Sequence, residues 1–466
     1  MENRSSVARL QPDSSGLQAV LDPTLEVTPG DGMILVSSEG LAKPEEQSQS
    51  ATLVPTEENI SEAQKKPRRR RYYIIGAVAA ALIILGAVLG GVLGSRKKAQ
   101  TEVYSMTTAE QVPSHSRLAF SSWHDSTGFV RHIFYQEANG TLQSCMSRGV
   151  SPDLESIERT PWGRETNLSP DYRAQNMSGL ATGLTIQDSN GNGNGKALQV
   201  EAFYLNTTNF VNGIVYGRSF QYIGDSINYK DYQALEGSSL AAYWPYVLFQ
   251  SRVGQLQISK YASGWTTQMS SIRARHRSVI AVVPTSRNYT EVSTAGRIAV
   301  FYASSNNLLS VWEDPLGMGQ GTKFANQTAW NSSFPKILLY PSSSLAALAV
   351  AASSDDADSK IHTFVLYQDQ DSKIQQLRRE GAGNDWQMST PGAFNNADNL
   401  TSIACVTGPT WINGFTPDDK PNEVTDPDRL LEPASNLTRC VFLSGGHLME
   451  TRLDGVDWAP PTPVDC

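Results

Sequence analysis

No aromatic residue precedes Tyr72 in this chain of 466 residues, and the first 64 positions hold 11 acidic side chains against only Arg4, Arg9 and Lys43. A segment so poor in large apolar groups cannot bury enough surface to offset the entropy of ordering it, which excludes a folded domain there. Residues 1–71 are therefore expected to be a disordered tail that ends in the basic cluster Lys65, Lys66 and Arg68 to Arg71.

Other absences narrow the chemistry. The patterns HExxH and GxSxG and a true P-loop are missing, and the six histidines form no cluster with ligand spacing, so no metal, no cofactor and no familiar hydrolytic centre is expected. "GMGQGTK" from Gly317 has the composition of a phosphate loop without the strand and helix that give such a loop its geometry. Asp188, Asn190, Asn192 and Gly193 imitate the start of a calcium loop, but the twelfth position is Gln199, where a bidentate carboxylate is needed, and a glycine-rich hairpin loop is the better account. The acidic runs from Ser353 and Thr416 sit in hydrophilic stretches that would not raise a carboxyl pKa. No basic stripe follows residue 100, so nucleic acid is not an expected partner.

Charge is also absent from Tyr72 to Gly94, 23 residues that would extend roughly 34 Å as a helix, enough for a hydrocarbon core about 30 Å thick. A transmembrane helix is expected over 72–94, with a stalk over 95–114. Six basic residues precede the span against Arg96, Lys97 and Lys98 after it, which places the N-terminus in the cytoplasm and the remainder outside or in a lumen, a single-pass type II arrangement. Nine N-glycosylation sequons (Asn139, Asn167, Asn176, Asn206, Asn288, Asn326, Asn331, Asn399, Asn436) follow the span, as suits a lumenal or extracellular surface. All four cysteines, Cys145, Cys405, Cys440 and Cys466, lie on the same side, where disulfides form. Gly86, Gly90 and Gly94 recur at four-residue spacing on one helix face, which is compatible with a homodimer through the span.

What is abundant beyond residue 115 is repetition. "HIFYQEANGTL", "EAFYLNTTNF", "YVLFQSRVGQL", "AVFYASSNNLL", "FVLYQDQDSKI" and "CVFLSGGHL" each join a short apolar strand to a polar turn and a second strand. A second series, opening at Ser116, Ser178, Ser238, Ser278, Ser343 and Asn399, precedes each of them, and Trp162, Trp265, Trp330, Trp386 and Trp458 close five of the six units. One such sheet cannot hide both faces; six stacked radially can, and they leave only short edges. The expected fold over 115–466 is all-β, a six-bladed propeller of four-stranded antiparallel blades, with a pair of β-sandwiches as the alternative. Cys405 and Cys440 fall on the first two strands of the last unit and are paired on that ground, which leaves Cys145 with Cys466; four cysteines allow three connectivities.

"LAFSSW" followed by "HIFYQEANGTLQS", and "SSLAALAV" followed by "FVLYQDQDSKIQQLRREGAGNDW", resemble blades of the fungal fucose-specific lectins. The resemblance implies pockets between adjacent blades for fucosylated glycans, each using an arginine that opens the second strand, a glutamate on the third, and an aromatic ring from the next blade. The arginine positions here hold His132, Glu201, Tyr246, Ala299, Phe364 and Cys440; the glutamate positions hold Ser144, Ile258, Val311, Gln376 and Glu450. Glu450 alone matches, with Trp162 as its ring across the seam between the last and first blades. Arg439 stands one residue from the arginine position and is expected on the opposite strand face. Two functions compete, a membrane-anchored lectin for glycans and a propeller that has lost sugar binding and serves as a protein-interaction scaffold, with a glycan-processing enzyme behind both.

Overall fold

A computed structural model describes residues 112–466, apart from short breaks and the longer stretches 150–159, 189–195, 314–332, 353–360 and 412–428. The tail, the span expected over 72–94 with its three glycines, and the stalk up to residue 111 lie outside the described residues, as do Asn167, Asn326, Asn331, Asn436 and Trp330. Among the described residues no helix is long and apolar enough to cross a membrane.

Six antiparallel blades form a ring. Blade 1 consists of β1 (Ala119–Asp125), β2 (Gly128–Gln136), β3 (Leu142–Gly149) and β4 (Gly163–Arg164), and blade 2 of β5 (Leu180–Asp188), β6 (Lys196–Leu205), β7 (Val211–Tyr216) and β8 (Tyr222–Gly224). Blade 3 consists of β9 (Leu240–Tyr243), β10 (Tyr246–Gln250), β11 (Gln255–Tyr261) and β12 (Trp265–Arg273). Blade 4 shows three strands, β13 (Ile280–Pro284), β14 (Ile298–Ala303) and β15 (Leu309–Glu313), with helix α1 (Tyr289–Ala295) between the first two. Blade 5 has β16 (Leu345–Ala351), β17 (Ile361–Gln368), β18 (Ile374–Arg379) and β19 (Trp386–Ser389). In blade 6, β20 (Ala404–Cys405) is followed by an added hairpin, β21 (Pro409–Trp411) with β22 (Arg429–Leu431), before β23 (Arg439–Ser444), β24 (His447–Asp454), β25 (Asp457–Trp458) and β26 (Thr462–Pro463). The last two both pair with β24.

The recurring opener has a physical cause. Each blade begins Ser-x-Leu-Ala or a close variant: the Leu or Ile and the Ala after it line a narrow axial channel of about 120 Å³, where six inner strands converge and large side chains would collide. The opening hydroxyl accepts the backbone N–H that ends the second strand: Ser116 from Gln136, Ser178 from Leu205, Ser238 from Gln250 and Ser278 from Ala303, at 2.7–2.9 Å. In blade 6 the role falls to Thr401, which accepts from Leu443 at 2.8 Å. Each bond clasps an inner strand to its neighbour and contributes about 0.5–1.5 kcal/mol.

Alternation along the strands then supplies two apolar faces per blade, and six buried clusters fill the six seams. In β2, Ile133 and Tyr135 face blade 6 while Phe134 faces blade 2. The ring closes where Leu118, Ile133 and Cys145 of blade 1 pack on Val441, Leu443 and Val464 of blade 6. Disulfides Cys145–Cys466 and Cys405–Cys440 have Cα atoms 5.8 and 4.1 Å apart; the first ties the final residue to blade 1, and the second joins directly opposed residues of β20 and β23. Antiparallel order puts every interblade linker and every turn between second and third strands at one end of the ring, bound to each other by backbone bonds such as Ala174 N to Gly140 O and Leu339 N to Asn307 O, both within 3.1 Å. The end bearing α1 and the added hairpin is the other.

Candidate functional site

Strand parity decides which side chains reach a seam. The arginine-position residues His132, Glu201, Tyr246 and Ala299 are fully buried and Phe364 nearly so, and each belongs to the face its blade turns toward the next one. Cys440 breaks the pattern by turning back toward blade 5, where it meets Cys405. In blade 6, Val441 pairs with Glu450, so Arg439, two residues from Val441, shares the face of Glu450. The expectation that Arg439 points away is thus corrected. It opens β23, its Nη1 lies 3.3 Å from Glu450 Oε1, and its guanidinium lies 5.5 Å from the Phe129 ring centroid.

The seam between blades 6 and 1 brings Arg439, Glu450 and Trp162 together, and a fourth residue fills the space among them. Arg131, the neighbour of His132, places Nη1 2.5 Å from Glu450 Oε2 and donates through Nη2 to Ser147 Oγ at 2.7 Å and to the Thr160 carbonyl at 3.2 Å. Its guanidinium carbon is 4.7 Å from the Trp162 ring centroid, a cation–π contact. Arg131, Arg439 and Glu450 are all 1–2 % exposed. Two cations and one anion held this deeply need the two rings and the hydroxyl to offset lost hydration. Nothing in the sequence marked Arg131, because the repeat aligned His132 instead.

The next seams are filled differently. Between blades 1 and 2, the Tyr222 hydroxyl lies 2.6 Å from Ser144 Oγ and 3.2 Å from His132 Nε2, so a tyrosine takes the place of the closing tryptophan that the second unit lacks. Burial holds the His132 imidazole down at a pKa of about 3 and pushes the Tyr222 hydroxyl up. Between blades 2 and 3, Glu201 shares a buried setting with Asp225, whose Oδ1 accepts from Ile227 N at 2.7 Å and Trp265 Nε1 at 2.8 Å. Burial first, then the charge of Asp225, raise the Glu201 carboxyl well above its ordinary range. Tyr246 donates to the Val292 carbonyl at 2.8 Å between blades 3 and 4, and Phe301, Phe334 and Trp386 pack together between blades 4 and 5.

The seam between blades 5 and 6 carries an open cleft beside its buried cluster. A cleft of about 490 Å³ is bounded by Gln376, Ser389, Thr390, Asp457, Trp458 and Pro461, within the size range of small-molecule sites. Trp458 Nε1 donates to Gln376 Oε1 at 2.6 Å, and Gln376 Nε2 reaches Ser389 Oγ at 3.3 Å, so the glutamate-position residue orients the ring. Phe394 supports Trp458 edge-on at 5.3 Å. An indole wall with hydroxyl, amide and carboxylate groups around it can hold a polyhydroxylated ring by its apolar face and its hydroxyls. Among the described residues no group of three or more potential ligands is placed to hold a metal ion.

Solved structures match this architecture at low sequence identity. A mutant of the Aleuria aurantia lectin in complex with alpha-methyl-L-fucoside is 15% identical, with a TM-score of 0.52 over 76% of this chain and 96% of the lectin. The propeller fold is similar to that of fungal fucose-specific lectins. AofleA from Arthrobotrys oligospora is likewise 15% identical, with a TM-score of 0.51 over 76% of this chain and 88% of that one. No protein-family model matches the chain, and no curated protein matches it in sequence.

Proposed function

We propose that this chain is a glycan-binding propeller held outside the cytoplasm by a single membrane span, and that it takes sugar in the cleft between blades 5 and 6. The observation that carries the proposal is the open, indole-walled cleft itself, with Trp458 fixed by Gln376. The fold supports it, since structures with this architecture include a mutant of the Aleuria aurantia lectin in complex with Fucalpha1-6GlcNAc. A fucosylated oligosaccharide is the ligand class, and the carboxylate of Asp457 on the rim disfavours acidic sugars. The seam between blades 6 and 1 carries the family's arginine, glutamate and ring, but a neutral sugar would have to displace Arg131 from Glu450. The membrane span rests on the charge-free run from Tyr72 to Gly94 and its flanking charges.

Calorimetric titration of the full chain in nanodiscs with fucose and fucosylated oligosaccharides tests the site. Binding is expected, and Trp458→Ala should weaken it by roughly tenfold or more, the scale of one stacking contact. No heat at millimolar ligand from folded protein would favour the interaction scaffold, a reading supported by the arginine and glutamate positions, which are buried under the chain's own side chains.

A further inference from the structure

In blades 2 to 6 the residue before the opening hydroxyl adopts a left-handed backbone: Met177 (φ 58°), Gly237 (71°), Arg277 (55°), Ser342 (70°) and Leu400 (58°). Gly, Arg and Ser suit an exposed turn of this kind. Met177 and Leu400 do not, because both are large and apolar, and they stand 46% and 49% exposed at a conformation bulky residues avoid. These two positions share one further property. Each is the middle residue of a sequon, Asn176-Met177-Ser178 and Asn399-Leu400-Thr401, whereas the residues before Gly237, Arg277 and Ser342 are Glu236, His276 and Pro341.

The asparagines are placed to carry a modification. Asn176 and Asn399 are exposed on the linker end of the ring, and among the described residues neither Nδ2 is hydrogen-bonded; Asn399 Oδ1 accepts from Ser372 Oγ at 2.7 Å. Asn206, by contrast, is half-buried and spends its Nδ2 on Asn212 Oδ1 at 3.1 Å, and half-buried Asn288 caps α1. The sequon hydroxyls of Ser178 and Thr401 are fully buried as the clasps of blades 2 and 6.

We propose that Asn176 and Asn399 carry N-linked glycans that cover Met177 and Leu400, and that both are attached before their turns close. The inference rests on the lumenal placement proposed above. In the transfer, the asparagine Nδ2 forms a bond to the anomeric carbon of a lipid-pyrophosphate-linked oligosaccharide. The bond from that carbon to the pyrophosphate oxygen breaks, the lipid pyrophosphate leaves with the electron pair, and the amide loses a proton. The transferring enzyme must reach the sequon hydroxyl, which the folded blade encloses, so the order of events follows from burial. A solvated, bulky saccharide beside each apolar side chain removes the exposed area that would otherwise invite association.

The full chain from a eukaryotic secretory host, deglycosylated enzymatically in heavy-oxygen water, should show labelled aspartate at positions 176 and 399 by peptide mapping. Occupancy at other sequons with both of these empty overturns the inference and leaves lumenal placement standing; no occupancy anywhere overturns both. Covering is read from peroxide oxidation. Met177 should oxidise several-fold faster after deglycosylation, while Met388, 66% exposed on β19, should not change. Equal Met177 rates in the two forms would refute the covering. Full-length chain made without glycosylation should accept glycan at Asn176 and Asn399 from a purified oligosaccharyltransferase when denatured and refuse it when folded; acceptance by the folded chain would refute the order.

Discussion

The seams on either side of blade 6 are built from the same repeat and end in opposite states. Toward blade 5, Trp458 leans on Gln376 and leaves a cleft; toward blade 1, Arg131 drives between Glu450 and Trp162 and fills the space among them. One side chain makes the difference. A neutral amide at the glutamate position binds the next blade's indole through a single neutral hydrogen bond, which costs little to desolvate and leaves the space above it unfilled. A buried carboxylate must have a cation, and here the neighbouring blade supplies one that occupies the volume a ligand would take.

The sharpest way to break this comparison is Glu450→Gln. It leaves two guanidiniums buried without their anion, so a loss of about 3–5 kcal/mol is expected in denaturant melts of the folded chain. Gln376→Ala at the open seam should cost only about 1 kcal/mol by the same measurement. Equal losses would mean the ion cluster is not what separates the seams.

Arg131→Ala should cost less, about 1–3 kcal/mol, because Arg439 remains to neutralise Glu450. It should also empty the volume beside Trp162, and calorimetry should then show glycan stoichiometry rising from one site to two. An unchanged stoichiometry would show that the closed seam lacks more than space.

The two seams after blade 1 sharpen the contrast through pH, at about 1.4 kcal/mol per pH unit and proton. His132 has a folded pKa of about 3, so below the unfolded value near 6.5 the unfolded chain takes up a proton that the folded chain refuses, and stability is lost as pH falls. Glu201 is raised, so its contribution is complete below the unfolded value near 4.5 and is lost as pH rises through the folded one. His132→Phe should therefore improve stability between pH 6 and 4, and Glu201→Gln should reduce the loss toward neutrality, with thermal melts across pH reading both. The same pH slope in wild type and both variants would assign the dependence elsewhere.

Much of the fold was legible because its causes are local. Period-two alternation, the hydroxyl that clasps the second strand, and the Leu-Ala pair forced on every inner strand by the crowded axis recur at positions that can be counted in one dimension. The closing tryptophans could be counted as well, and Glu450 and Trp162 could be assigned to one seam from blade order. The contents of each seam could not be read this way. Whether Arg439 or Cys440 faces Glu450 depends on a one-residue choice of register, set by the pairing of Val441 with Glu450 and of Cys405 with Cys440 across strands far apart in the chain. Arg131 reaches Glu450 over 319 positions, and Tyr222 substitutes for a missing tryptophan only because β8 lies against Ser144. The amino-acid sequence alone determined that there are six repeated sheet units whose apolar faces need cover from one another, for which a ring is the arrangement that treats all six alike. Only the tertiary structure decided which seam stands open, because that depends on which long polar side chain meets which buried charge once the ring has closed.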